Sequence, residues 1–203
     1  GNAGGTVARA FGHYFPRTAV DAVEIDGELT ALGRRYLGLR NPRMEVFEAD
    51  ARPWLEAAPG GYDAILVDAY RQPYIPFYLT TAEFFALAAE RLAPGGVVVV
   101  NVGHPEESEA LERVLGATMA SAFPHVLRDP IAATNTLLIG CGPAISAARL
   151  EAVAPALPPD LRRLALESSA RLRPRLAGGE VYTDDRAPVE WLIDGSLLEY
   201  AGG

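Results

Sequence analysis

The seven residues Val20-Asp21-Ala22-Val23-Glu24-Ile25-Asp26 decide how this chain is read, because they look like a buried strand that stops on an acid, Glu24. Upstream lies a glycine cluster, Gly1-Asn2-Ala3-Gly4-Gly5, and Glu24 follows Gly5 by 19 residues. Helix-like spacing from Thr6 to Phe15 fills the interval. Such spacing belongs to a nucleotide-binding β-α-β unit, in which glycines let the backbone approach a ligand and an acid about 20 residues on takes ribose hydroxyls. A carboxylate suits a vicinal diol because it accepts two hydrogen bonds. The competing reading makes Glu24 a cap for the next helix, with no ligand at all.

Composition bounds the possibilities. A chain of 203 residues, 49% hydrophobic and 22% charged, is long enough for one well-cored domain with a small appendage. Its net charge of −8 supplies no electrostatic footprint for a phosphate backbone, so nucleic acid is not an expected partner. All 18 basic residues are Arg. Without Lys, Schiff-base chemistry and the P-loop lysine are both excluded. Cys141 is the sole cysteine, so neither an intrachain disulfide nor a cysteine-based zinc site is expected, and a cytoplasmic setting is the default. His13, His104 and His125 are scattered without metal-ligand spacing, and no metal is expected. No apolar run reaches the roughly 18 residues of a membrane span, and neither a membrane segment nor a signal peptide is expected.

Outward from Glu24, the pattern alternates strands and helices. Helical spacing over Gly27 to Leu37 is followed by short strands at Met44 to Glu48 and Ala64 to Val67, the latter ending on Asp68. A helix over Thr81 to Leu92 leads through a Pro94-Gly95-Gly96 turn into Val97 to Val100, the plainest strand in the chain. A long helix over Glu106 to Ala122 precedes strands at His125 to Arg128 and Asn135 to Cys141, close enough to form an edge hairpin with one antiparallel strand. From Gly142 onward the composition shifts to Ala, Pro and Arg, which reads as a helical extension over 143–203 packed on a 1–142 core. The apolar strand that should feed the glycine loop does not precede Gly1, so the expectation is either further residues upstream or a substitute strand from elsewhere.

This is an α/β, Rossmann-like, doubly wound pattern. In such a sheet the strand ends share one edge, where ligands bind, and Glu24, Asp50 and Asp68 fall at three successive strand ends. Helix capping is the alternative explanation for all three acids. A dinucleotide site would want glycine where Ala3 and Thr6 stand. An adenosyl sulfonium fits better, with its ribose on Glu24, its adenine amino group on Asp50, and its positive sulfur facing Asp68, Tyr70 and Tyr74.

The motifs Gly1 to Gly5, Val23-Glu24-Ile25-Asp26, Ala49-Asp50-Ala51, Tyr62 to Asp68, Leu79 to Phe85 and Leu92 to Gly96 resemble the spermidine synthase family over about residues 1 to 142. That resemblance implies a class I methyltransferase-like fold with a mostly parallel seven-stranded sheet. The implied reaction moves an aminopropyl group from decarboxylated S-adenosylmethionine to an amine. It also implies that Gly1, Gly4 and Gly5 line the donor, that Glu24 with Ile25 beside it holds the ribose, that Asp50 with Ala51 holds the adenine, and that Asp68 is the catalytic base. Tyr70, Arg71 and Tyr74 then lie on the acceptor side.

The loop after Asp68 departs from the family. It reads Asp68-Ala69-Tyr70-Arg71-Gln72-Pro73 where the family reads roughly D-S-S-D-P, so Arg71 replaces the second acid, and the glycine loop is not the usual G-G-G-D-G. A guanidinium opposes a polyamine and favours a donor that keeps its carboxylate, that is, intact S-adenosylmethionine. Three functions therefore stand at this point: a spermidine-synthase-like transferase, a methyltransferase on the same fold, and a non-catalytic nucleoside-binding partner protein. A two-fold homodimer is the commonest prior for assembly.

Overall fold

A computed structural model describes residues 1–70, 73–106 and 108–202. They fall into two compact units, Gly1–Ala58 and Pro59–Gly203.

The first unit opens on the glycine loop and α1 (Thr6–Tyr14). Parallel strands β1 (Val20–Glu24) and β2 (Met44–Glu48) follow, separated by α2 (Gly27–Tyr36), and α3 (Ala51–Ala57) closes the unit. Both later helices start where the sequence supplies a short acid. Asp26 Oδ1 accepts from the N–H groups of Glu28 (2.9 Å) and Leu29 (3.1 Å), and Asp50 Oδ1 accepts from Arg52 N–H at 3.1 Å. Each bond satisfies a donor that the first helical turn leaves without a partner.

In the second unit β3 (Tyr62–Val67) leads through a short 3₁₀ turn to α4 (Ala82–Arg91), β4 (Leu92–Gly103), α5 (Ala110–Met119), β5 (His125–Ala132) and β6 (Asn135–Cys141). Beyond these come α6 (Ala147–Val153), α7 (Pro159–Arg171), the two-residue β7 (Arg173–Pro174) and α8 (Val189–Gly202). The strands form a sheet of order β3-β4-β6-β5-β7. Among the described residues only β3 and β4 pair in parallel there; β6 runs antiparallel to both its neighbours, and β7 is antiparallel to β5.

The strand pairing differs from the single, mostly parallel seven-stranded sheet expected from the sequence. β1 and β3 are both terminal strands, each hydrogen-bonded on one side only among the described residues. The β5–β6 hairpin is present as expected, and β6 is inserted between β4 and β5, which makes the larger sheet mixed. The expected Pro94-Gly95-Gly96 turn is instead a bulge inside β4, where the register jumps from Tyr62 opposite Leu92 to Ala64 opposite Val97. Gly95 carries the left-handed backbone (φ 86) that such a bulge demands. A Cβ on Gly96 would lie 2.7 Å from the Tyr62 carbonyl oxygen.

Alternation along β4 sends Val98, Val100 and Val102 into the core, all fully buried with Phe85, Leu115, Met119 and Leu138. Each such side chain contributes about 1.5 to 3 kcal/mol by leaving water. Val97, Val99 and Asn101 take the other face. Neighbouring residues of β5 likewise serve opposite faces. Arg128 pairs with the buried Glu112 of α5, its Nη2 lying 2.8 Å from Oε2, while Asp129 accepts from Arg171 Nε (2.7 Å) and Ser168 Oγ (2.6 Å) of α7.

The segment before α8 is tied to the helices it passes. Tyr182 is buried, its N–H donating to Thr118 Oγ1 (3.0 Å) and its carbonyl accepting from Ala82 N–H (2.8 Å) at the start of α4. Asp184 N–H donates to Glu83 Oε2 at 3.0 Å. Among the described residues no helix is long and apolar enough to cross a membrane.

Candidate functional site

In the first unit the acid at the end of β1 is the organising group. Glu24 is buried, and its Oε2 accepts from the backbone N–H groups of Asn2 (3.0 Å) and Ala3 (2.8 Å). Oε1 accepts from Asp26 N–H at 3.1 Å. The carboxylate therefore pins the glycine loop to the strand end, a role the sequence did not show. Counting two acceptor directions per oxygen, one direction on Oε1 remains for a ribose hydroxyl, where two were expected for a diol.

The loop itself is tightly drawn. Ala3 adopts φ 45, unusual for a residue with a Cβ, and Gly5 adopts φ 73 just before α1. A Cβ on Gly4 would lie 2.6 Å from Leu37 Cδ1, and one on Gly5 would overlap Leu39 Cδ1. These two glycines admit the leucines that follow α2, so their need is met by packing within the unit. Gly1 is exposed at the mouth of the loop. Asn2 Nδ2 is a buried donor with no partner among the described residues, the kind of orphan that a bound acceptor group would satisfy. Asn2 was not singled out from the sequence, although it stands inside the glycine run.

Asp50 and Ala51, the residues expected to hold the adenine, stand at the start of α3. Asp50 caps the helix and Ala51 is its first residue, so the capping reading of Asp50 holds alongside any ligand role. Ile25, at 68% exposure, presents its side chain to solvent beside Glu24.

In the second unit Asp68 lies one residue past β3 and is exposed. Its Oδ1 accepts from Asn101 Nδ2 at 2.9 Å, and Asn101 Oδ1 in turn accepts from Asn135 Nδ2 at 2.8 Å. Tyr70 and Tyr74 were expected to offer aromatic walls, but their hydroxyls are engaged. Tyr70 donates to the Asn101 carbonyl (2.7 Å) and accepts from Gly103 N–H (2.9 Å), which fastens the loop to the end of β4. Burial pushes its phenol above the usual range. Tyr74 donates to Asp194 Oδ1 of α8 at 2.7 Å, and that hydrogen bond raises its phenol as well. Arg71, expected on the acceptor side, lies outside the described residues.

A glycine loop ahead of a helix, an acid closing the strand that follows, and a further exposed acid beyond a parallel strand define an α/β domain of the methyltransferase-like kind. Human methyltransferase-like protein 13, solved with S-adenosylhomocysteine, superimposes with a TM-score of 0.65 over 88% of this chain and 82% of its own at 23% identity, a likeness of fold. The sequence model of the spermine/spermidine synthase domain matches residues 1–142, and the chain belongs to that family.

Within the family, a probable spermidine synthase from Corynebacterium glutamicum is similar in structure, with a TM-score of 0.70 and 26% identity over 91% of this chain and 70% of the other. A probable polyamine aminopropyl transferase from Bifidobacterium longum is 38% identical over 120 residues, 59% of this chain and 27% of its own length. The chain thus spans about a quarter of that relative.

Proposed function

We propose that this chain carries the donor-binding and base-bearing part of an aminopropyltransferase that uses a decarboxylated S-adenosyl sulfonium and a small amine. The observation that carries the reading is Asp68, an exposed carboxylate held by Asn101 just past a parallel strand, in a chain matched to the spermine/spermidine synthase domain from end to end of its first 142 residues. Relatives named as polyamine aminopropyltransferases support it.

The donor fits the first unit's groups. The open acceptor direction on Glu24 Oε1 suits one ribose hydroxyl, and the buried Asn2 amide offers a donor beside the loop. Asp50 at the start of α3 is assigned the adenine amino group. In the reaction the amine nitrogen attacks the aminopropyl carbon next to sulfur, the C–S bond breaks, and its electrons stay on sulfur as methylthioadenosine. The amine's surplus proton passes to Asp68. This chemistry needs alignment and a base, which the chain's residues supply.

The test is product analysis by mass spectrometry after incubation with decarboxylated or intact S-adenosylmethionine and a panel of amines. Methylthioadenosine formed only with the decarboxylated donor and an amine is the expected outcome. S-adenosylhomocysteine from the intact donor, or no product, refutes the reading.

A further inference from the structure

Asp68 stands outside the sheet on a side chain whose terminal torsion is broad, so nothing intrinsic to aspartate decides which carboxylate oxygen meets a proton. We infer that Asn101 and Asn135 are positioning residues that decide it. The inference rests on Asp68 being the proton acceptor, as proposed above.

Register brings the three residues together. Val67 is paired with Val100 across the parallel β3–β4 ladder, which sets Asp68 beside Asn101 at the next step. Asn101 faces Leu137 across the antiparallel β4–β6 ladder, and Asn135, two residues earlier on β6, shares that face. The amides then form a directional chain. Asn135 Nδ2 donates to Asn101 Oδ1 (2.8 Å), and Asn101 Nδ2 donates to Asp68 Oδ1 (2.9 Å).

Direction follows from the donor inventory. Turning the Asn101 amide over would set its oxygen against a carboxylate oxygen and its NH₂ against the Asn135 NH₂, two repulsive contacts in place of two bonds. The carboxylate, an acceptor only, thereby fixes which end of Asn101 faces Asp68, and the bond from Asn135 steadies the amide in that orientation. The backbone at Asn101 is held too, since its carbonyl accepts from Tyr70 and the Tyr70 hydroxyl accepts from Gly103 N–H. Among the described residues no second donor reaches the Asp68 carboxylate. Oδ1 is thus restrained, and Oδ2 is the oxygen presented to the amine's proton.

The kinetic test uses Asn101→Ala, Asn135→Ala and the double variant on the whole chain. Asn101→Ala should lower kcat about 10- to 100-fold, the scale on which misplacing a reacting group is felt, and Asn135→Ala about 3- to 10-fold. Both should leave KM for the donor within about twofold, because the change falls on alignment and not on donor binding. Adding Asn135→Ala to Asn101→Ala should cost nothing further, since the distal amide acts only through the proximal one. Unchanged kcat in Asn101→Ala, or effects that multiply in the double variant, overturns the inference.

A second measurement needs no turnover. In Asp68→Ala the side-chain NH₂ resonances of both Asn101 and Asn135 should move in nitrogen-resolved NMR spectra. If the Asn135 signals stay in place, the chain of amides is refuted whatever the activity. If they move while the unmutated protein forms no product, the amide chain stands and only the reading of the reaction falls.

Discussion

Replacing Glu24 by Gln tests whether one carboxylate both shapes the glycine loop and meets the ligand. Three backbone N–H groups converge on it, from Asn2, Ala3 and Asp26. A hydrogen bond to a charged acceptor contributes about 1.5 to 3 kcal/mol net, and a neutral one about 0.5 to 1.5. Glutamine has one oxygen to offer. Turned toward Asn2 and Ala3 it keeps both bonds in weaker form, losing about 1 kcal/mol at each, and it sets an NH₂ against the Asp26 N–H, losing that bond outright. The total is about 3 to 5 kcal/mol as an upper bound. Because all three bonds are only partly buried, about 2 kcal/mol is the working figure. In urea that lowers the unfolding midpoint by roughly 1 M. Calorimetry with methylthioadenosine should show affinity weakened about tenfold or more by the loss of a charged ribose partner. An unchanged urea midpoint refutes the pinning of the loop. Unchanged affinity refutes the ribose contact, and the two results can be obtained independently.

Asp68→Asn should leave methylthioadenosine binding within about twofold while lowering turnover about 10² to 10⁴-fold, as loss of a general base does; full turnover removes Asp68 from the mechanism. Tyr70→Phe strips a donor from the Asn101 carbonyl and an acceptor from Gly103 N–H and should cost about 1 to 3 kcal/mol in denaturant unfolding. Burial raises the Tyr70 phenol in the fold, so its contribution is complete below the unfolded value near pH 10 and is lost as pH climbs through the higher folded value. The alkaline fall in stability should therefore be shallower in Tyr70→Phe, and an identical fall in both proteins contradicts the assignment. Gly140→Ala should destabilise by about 1 to 3 kcal/mol, since the added Cβ would sit 2.7 Å from Phe123 Cδ2 and 3.0 Å from Met119 Cε, and a neutral result in thermal unfolding would show that this contact yields.

Much of the fold was legible because strand and helix periods are local. Met44–Glu48 and Asn135–Cys141 have the limits that their apolar patterns and flanking turns suggest. Strand order was less accessible, since the insertion of β6 between β4 and β5 depends on pairings between distant segments. The site divides along the same line. Spacing from the glycines singled out Glu24, but its bonds run to backbone N–H groups, which no residue letter records. Asn101 could have been noticed as the polar residue that follows the apolar run Val97 to Val100, whereas Asn135 joins it only through the β4–β6 register. The partnership of Tyr74 with Asp194 spans 120 residues and left no local trace.

Tyr182 and Asp184 bond to the first turn of α4, and the Asp184–Glu83 bond closes a separation of 101 residues. At a synthesis rate of about 5 to 20 residues per second, α4 leaves the ribosome roughly 5 to 20 s before these partners exist. During that interval the Ala82 N–H has no carbonyl from Tyr182, and Thr118 lacks the buried N–H that it later accepts. Closing so long a loop is also entropically slow, which places completion of this unit late in folding. A chain cut after residue 142, where the family match ends, never reaches that stage. Its α4 would keep the unpaired Ala82 N–H of a nascent intermediate and the Thr118 hydroxyl of α5 would lack its donor, so it should be recovered as aggregate or chaperone-bound material where the whole chain is recovered folded.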